Sequence, residues 1–137
     1  MTAFVLDAST ALGWLLDRPV PPGASRARAL VLAGTVPVVP ALWYLEISNG
    51  IVMAERRGRL TAGQVAMLAT DLDEFSQVVE VDSFLVRPPV LIATAQRTRL
   101  TVYDASYLEL ALRRRLPLAT LDEKLQQSAT RVGITLI

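Results

Sequence analysis

Short apolar runs of strand length alternate with longer segments of helical spacing almost from one end of the chain to the other. Strands separated by helices cannot pair as hairpins, so the pattern calls for a parallel or mostly parallel sheet covered by helices on both faces, joined by right-handed crossovers. The strand readings are Ala3 to Leu6, Val36 to Val39, Val78 to Val81, Thr101 to Tyr103 leading into Asp104, Leu118 to Leu121, and Ile134 to Ile137. Between them lie a helix through Leu12, Trp14, Leu15 and Leu16 with Ser9 or Thr10 as its cap, and a segment opened by Ser25 that runs to about Ala33. Ala41 to Arg57 reads as a long helix ended by Gly58. Thr61 and Gln64 form a capping-box pattern for a helix to about Phe75, and Pro88-Pro89 can start another through Gln96. Ala105 to Arg115 and the segment after Asp122 complete the set. No repeat, low-complexity tract or internal boundary interrupts this order, so residues 1–137 are expected to form a single domain, an α/β fold of three layers.

The chain contains no cysteine and no histidine. Disulfides, thiolate nucleophiles, Cys- or His-liganded zinc and Ser-His-Asp triads are therefore excluded, which leaves carboxylates and hydroxyls for any acid-base or metal chemistry. Four carboxylates stand out. Asp7, Asp104 and Asp122 each follow a strand-type run and precede helix-type sequence, which would place them at the carboxyl edge of the sheet, where ligands of open α/β folds bind. A single Asp there would be an ordinary helix cap, but three on such turns would crowd negative charge into one cleft, a repulsion that cations relieve. Glu46 shares a helical stripe with Leu42, Leu45, Asn49, Gly50 and Met53, a face that is otherwise apolar or small, so its carboxylate needs a partner. Asn49, one turn on, is a candidate to orient it. Ser9 and Thr120 are placed two residues from Asp7 and Asp122 and can support them, whereas Tyr107 reads as core. An all-oxygen set suits Mg²⁺ or Mn²⁺.

Lys124 is the only lysine, and the arginines gather as Arg56-Arg57-Gly58-Arg59, Arg97/Arg99 and Arg113-Arg114-Arg115. Guanidinium forks suit phosphates, so these groups are candidates for a nucleic-acid backbone; the competing reading is that they are solvated helix ends favoured by the macrodipole. Hydrophobic residues make up 52% and the mean hydropathy is +0.38, values that leave apolar surface for another subunit or partner. Trp43, Tyr44, Ile47, Ile51, Val52 and Ala54 surround the Glu46 stripe, more apolar surface than a one-sided helix needs. The apolar start lacks a basic n-region and is broken by Asp7, and the longest uncharged stretch, Ala29 to Leu45, contains Pro37, Pro40 and Gly34. No secretory signal or membrane span is expected, and the expected location is cytoplasmic.

Four segments, Val5-Leu-Asp-Ala-Ser9, Leu45-Glu-Ile-Ser-Asn49, Tyr103-Asp-Ala-Ser-Tyr-Leu-Glu-Leu-Ala111 and Leu118-Ala-Thr-Leu-Asp-Glu-Lys-Leu125, resemble the motifs of the PIN-domain nucleases, and most closely the VapC-type toxins of bacterial toxin-antitoxin pairs. The resemblance implies a three-layer α/β/α fold, Mg²⁺- or Mn²⁺-dependent endoribonuclease activity on RNA, a homodimer, and inhibition by a small cognate antitoxin. Carried onto this sequence, it makes Asp7, Glu46, Asp104 and Asp122 the acidic quartet, Asp7 and Asp104 the principal metal ligands, and Ser9, Asn49 and Thr120 their support. Other readings stay open. A phosphatase or phosphotransferase of the haloacid dehalogenase type could use Asp7, but it would be expected to carry a second Asp where Ser9 stands; a receiver-like module needs a lysine after a late strand, and Lys124 lies after Asp122 instead. A catalytically weak PIN-like binding module is the non-enzyme alternative.

Overall fold

Phe4, Val5 and Leu6 are completely shielded from solvent, and burying side chains of this size stabilises the fold by about 1.5–3 kcal/mol each relative to exposure. They form most of strand β1 (Ala3–Leu6), the centre of a computed structural model that describes residues Met1 to Ile137. The chain continues through α1 (Ala8–Leu16), α2 (Pro22–Leu32), β2 (Val36–Val39), α3 (Leu42–Arg56), α4 (Ala62–Phe75), β3 (Glu80–Val81), α5 (Pro88–Thr98), α6 (Val102–Arg114), β4 (Leu118–Ala119) and α7 (Glu123–Arg131). All strand pairs are parallel, in the order β3-β2-β1-β4. Helix α1 packs against α2 and α3, and α3 against α4, while α6 packs against α5 and α7, giving the three-layer α/β/α arrangement with the sheet between. No helix is long and apolar enough to cross a membrane.

The strand order fixes where a site can form. The chain moves from β1 outward to β2 and β3, then returns to β4 on the other side of β1, and Leu136 forms a further parallel bridge outside β4 at Leu118. The connections leaving β1 and β4 therefore run in opposite directions. That makes the crevice beyond their carboxyl ends the topological switch point of the sheet. Asp7 follows β1 and Asp122 follows β4 by way of Thr120 and Leu121.

Several local expectations change. Thr101 to Tyr103 is not a strand: Thr101 caps α6 by accepting the Asp104 amide at its Oγ1, 3.2 Å away, so Val102 and Tyr103 already belong to the first turn and Asp104 lies inside the helix. The strand preference of Val102 and Tyr103 is outweighed by a Thr cap three residues before an acid, a stronger local signal for a helix start. Ile134 to Ile137 contributes one bridge instead of a strand, and the Val78 to Val81 strand shrinks to Glu80–Val81. Helix α2 starts at Pro22, not Ser25, because a proline in the first turn gives up only an amide that has no helical partner. Ser9 and Thr10 are not caps but lie inside α1, whose N-cap is Asp7. The Thr61–Gln64 capping box forms in both directions, and Gly58 ends α3 with a positive φ of 76°. The long helix α3 is also less bare than its composition implies, since Trp43, Ile47, Ile51 and Ala54 are buried in the protein's own core and Leu45 and Val52 remain exposed.

Candidate active site

Asp7 is the buried end of the cleft, with only 4% of its surface exposed. As the residue before α1 it has the extended backbone of a cap, but its side chain makes no capping bond. It turns instead to receive two hydroxyls on one oxygen: Ser9 donates to Oδ2 at 2.5 Å and Thr120 donates to the same atom at 2.7 Å. Both hydroxyls are held from behind by amides, Leu121 N–H donating to Ser9 Oγ at 3.0 Å and Asp122 N–H to Thr120 Oγ1 at 3.0 Å. The amides occupy hydroxyl lone pairs, so each hydroxyl proton points at Asp7. Oδ1 has no hydrogen-bond partner.

The other carboxylates arrive from different elements. Asp122 does what an Asp before a helix commonly does, accepting the Leu125 amide at Oδ1 over 2.8 Å. Asp104 projects from the first turn of α6 with no donor on its carboxylate, since the cap contact uses only its backbone amide. Glu46, from the middle of α3, accepts the Tyr107 hydroxyl at Oε1, 2.6 Å away. Asp7, Glu46, Asp104 and Asp122 line one cleft of about 320 Å³ together with Ser9 and Asn49, and Thr120 stands behind Asp7. As the side chains stand, no three acidic groups converge tightly enough to hold one ion between them.

Charge and burial act on these groups in the same direction. Burial pushes the Asp7 carboxyl above its ordinary range; the Ser9 and Thr120 hydroxyls oppose that, and Asp104 and Asp122 add to it. Glu46 is raised by burial first, with Tyr107 pulling down and Asp7 and Asp104 pushing up. Asp104 is raised by burial and then by Asp122. Each of these acids would ionise more readily beside a cation, and oxygen atoms without protein donors remain on Asp7, Asp104 and Asp122 to meet one. The donor set thus fits a hard divalent ion.

Tyr107 is the residue that sequence reading assigned to packing alone. It is fully buried, yet its hydroxyl supplies the partner that Glu46 was expected to need, whereas Asn49 lines the cleft without bonding to Glu46. Burial, with the nearby Asp7 and Glu46 charges, pushes the phenol far above its ordinary range, so it stays a donor at any working pH. Sequence spacing carried a partial signal: Tyr107 lies three residues after Asp104, on the same side of α6.

Two of the arginines proposed for phosphate are already engaged. Arg113 bridges Asp82 and Glu109 at 2.5 and 2.6 Å and lies over the Phe84 ring, 4.4 Å from its centroid, while Arg114 pairs with Glu80. The cluster ties α6 to the strand β3 and the segment that follows it. It therefore leaves only Arg115 free of ion pairs, and the phosphate reading of Arg113-Arg114-Arg115 is set aside.

The PIN domain family model matches residues 4–130, and the chain belongs to the PIN domain family. PIN domains are usually metal-dependent nucleases. The chain is also similar to the crystal structure of PAE2754 from Pyrobaculum aerophilum, with 22% identity, a TM-score of 0.67, and coverage of 93% of this chain and 84% of that one. At that identity the likeness is one of fold. No curated protein matches the sequence.

Proposed function

We propose that this chain is a Mg²⁺- or Mn²⁺-dependent endoribonuclease, formed by residues 1–137 as one domain, that acts as the toxin of a toxin-antitoxin pair. The observation that carries the reading is the meeting of four carboxylates, from the ends of β1 and β4 and from α3 and α6, in one cleft at the sheet's switch point. In this reading Asp7 and Asp104 are the principal metal ligands, Glu46 and Asp122 complete the quartet, and Ser9, Asn49 and Thr120 support them. A bound divalent ion would supply a water of lowered pKa and offset charge gathering on a phosphodiester. The protein's own share is positional. Ser9 and Thr120 fix Asp7 Oδ2 and leave Oδ1 without a donor, Tyr107 fixes Glu46 Oε1, and the Leu125 amide fixes Asp122 Oδ1. The toxin role, the RNA substrate, a homodimer, a cytoplasmic location and a small antitoxin follow from the sequence resemblance and belong to the same proposal.

Purified protein is expected to cleave RNA with Mg²⁺ or Mn²⁺ and to stop when chelator is added, with activity restored by excess metal. Folded protein that leaves RNA intact with either metal would refute the nuclease. Co-expression with a small gene adjacent to this one is expected to rescue growth and yield a tight, poorly active complex. Recovery of free, fully active enzyme from that co-expression would remove the antitoxin and keep the nuclease. One observation favours a second reading, a PIN-fold binding module of weak activity: no three acidic groups converge on a single ion position. Titration with Mn²⁺ separates the two, because a nuclease gains activity in step with ion binding and a binding module gains none.

A further inference from the structure

The acidic cleft does not end at the carboxylates. Ser9, Leu12, Asn49 and Gly50 line it and also line a second groove of about 340 Å³ between α1 and α3, which leads to Arg57 and Arg59. The two helices meet closely where the cavities join: a Cβ on Gly50 would lie 2.6 Å from a Leu12 methyl, so a larger residue there would press on the shared wall. From Asn49 to Arg57, the C-cap of α3, the groove follows the helix for about 12 Å at the α-helical rise of 1.5 Å per residue.

The charges along this groove are few and unequal. Asp17 is its one carboxylate, and Arg59 pairs with it at 2.9 Å. Arg57 is exposed and takes part in no ion pair or side-chain hydrogen bond. The groove therefore carries one uncompensated positive charge at the end away from the acids, in contrast to Arg113 and Arg114, whose guanidiniums are held by Asp82, Glu109 and Glu80. A polyanion centred on the acidic cleft would find a continuous, positively ended path here.

We propose that the α1–α3 groove is the track of a single-stranded RNA on one side of the cleft, with Arg57 holding a backbone phosphate and Asn49 lying between that phosphate and the carboxylates. The identity of the strand rests on the nuclease reading above; the groove and its charge do not. A point contact to phosphate adds affinity without reading sequence, and on single strands each such contact contributes about 0.7 to the slope of log affinity against log salt.

The test is fluorescence anisotropy of a labelled single-stranded RNA over a salt series, with chelator present so that no strand is cut. Arg57→Ala is expected to weaken binding at least about fivefold and to lower the salt slope by about 0.7. Arg57→Lys should keep most of the slope, and Arg131→Ala, which removes the same charge from the far end of α7, should leave affinity and slope as in the parent. Parent-like binding and slope for Arg57→Ala, an equal loss in Arg131→Ala, or no RNA binding by the parent protein at low salt would each overturn the proposal. Cleavage in Mn²⁺ is scored separately. RNA that binds through Arg57 and stays uncut rejects the nuclease and keeps the groove; RNA that is cut with an Arg57-independent slope does the reverse.

Discussion

Asp104→Asn is expected to lower RNA cleavage by about 100-fold or more, the scale seen when one group that stabilises developing charge is removed from a closed site. It should also make the metal-free protein more stable. The Asp104 carboxyl is held above its ordinary range by burial and by Asp122, so the folded state binds its proton more tightly than the unfolded chain does. Below the unfolded value both states are protonated and nothing is lost. As pH rises through the raised value, the folded protein is left with a charge that it disfavours, and stability falls. The amide carries no charge, so this penalty disappears at neutral pH. Because Asp104 is only partly buried, solvent screening keeps the gain below about 1 kcal/mol, a rise in Tm of roughly 2–4 °C for a domain of this size. Loss of activity together with a higher Tm in chelator marks a residue placed for function, and a parent-like cleavage rate in the folded variant would show that Asp104 is not part of the reacting centre. Mn²⁺ should raise the Tm of the parent protein more at neutral pH than at pH 4, where protons compete with the ion for the carboxylates.

Arg113→Ala is expected to be the most damaging surface-level change, lowering stability by about 2–3 kcal/mol, somewhat under the 3–5 kcal/mol typical when a fully buried ion pair loses one partner. Asp82 and Glu109 each keep only 11% of their side-chain surface exposed; Glu109 would lose its cation outright and Asp82 would keep only the longer 3.8 Å contact to Arg114. The Phe84 ring would lose its guanidinium cover as well. Chemical denaturation should show the loss directly. The salt slope of RNA binding should stay unchanged, since Arg113 is committed to carboxylates; a normal denaturation midpoint with a shallower slope would return the residue to the phosphate backbone.

The contrast between Arg113 and Arg57 shows what one sequence can and cannot disclose. Both sit at helix ends, within runs of arginine that look alike on paper. Their partners decide their roles, and Asp82 lies 31 residues from Arg113 along the chain. The same holds for Glu46, whose need of a partner was legible from its helical stripe while the partner itself, 61 residues away, was not. Asp7 and Asp122 could be placed at the sheet edge because Ala3 to Leu6 and Leu118 to Leu121 are strand-type runs too short for a helix, each ending before one, although the second pairs only over Leu118–Ala119. Asp104 reached the same cleft by a route misjudged at the sequence level. A capped helix start brings it there instead of a strand end, since Val102 and Tyr103 suit either conformation and only the Thr101 cap chooses. The layer order survived this error because helices still separate β3 from β4 in the chain.

With both neighbouring hydroxyls spent on Oδ2, Asp7 has a single oxygen to give. An ion that settles against it would be held by one bond from that side, never by the pair of bonds a free carboxylate can offer. Large ions such as Ca²⁺, which take six to eight oxygens and accept paired carboxylate contacts, would be left short of ligands at the deepest point of the cleft. Smaller ions that ask for six well-spaced oxygens and keep several waters lose nothing by the arrangement. A serine and a threonine outside the acidic set would thus discriminate between metals by withholding an atom.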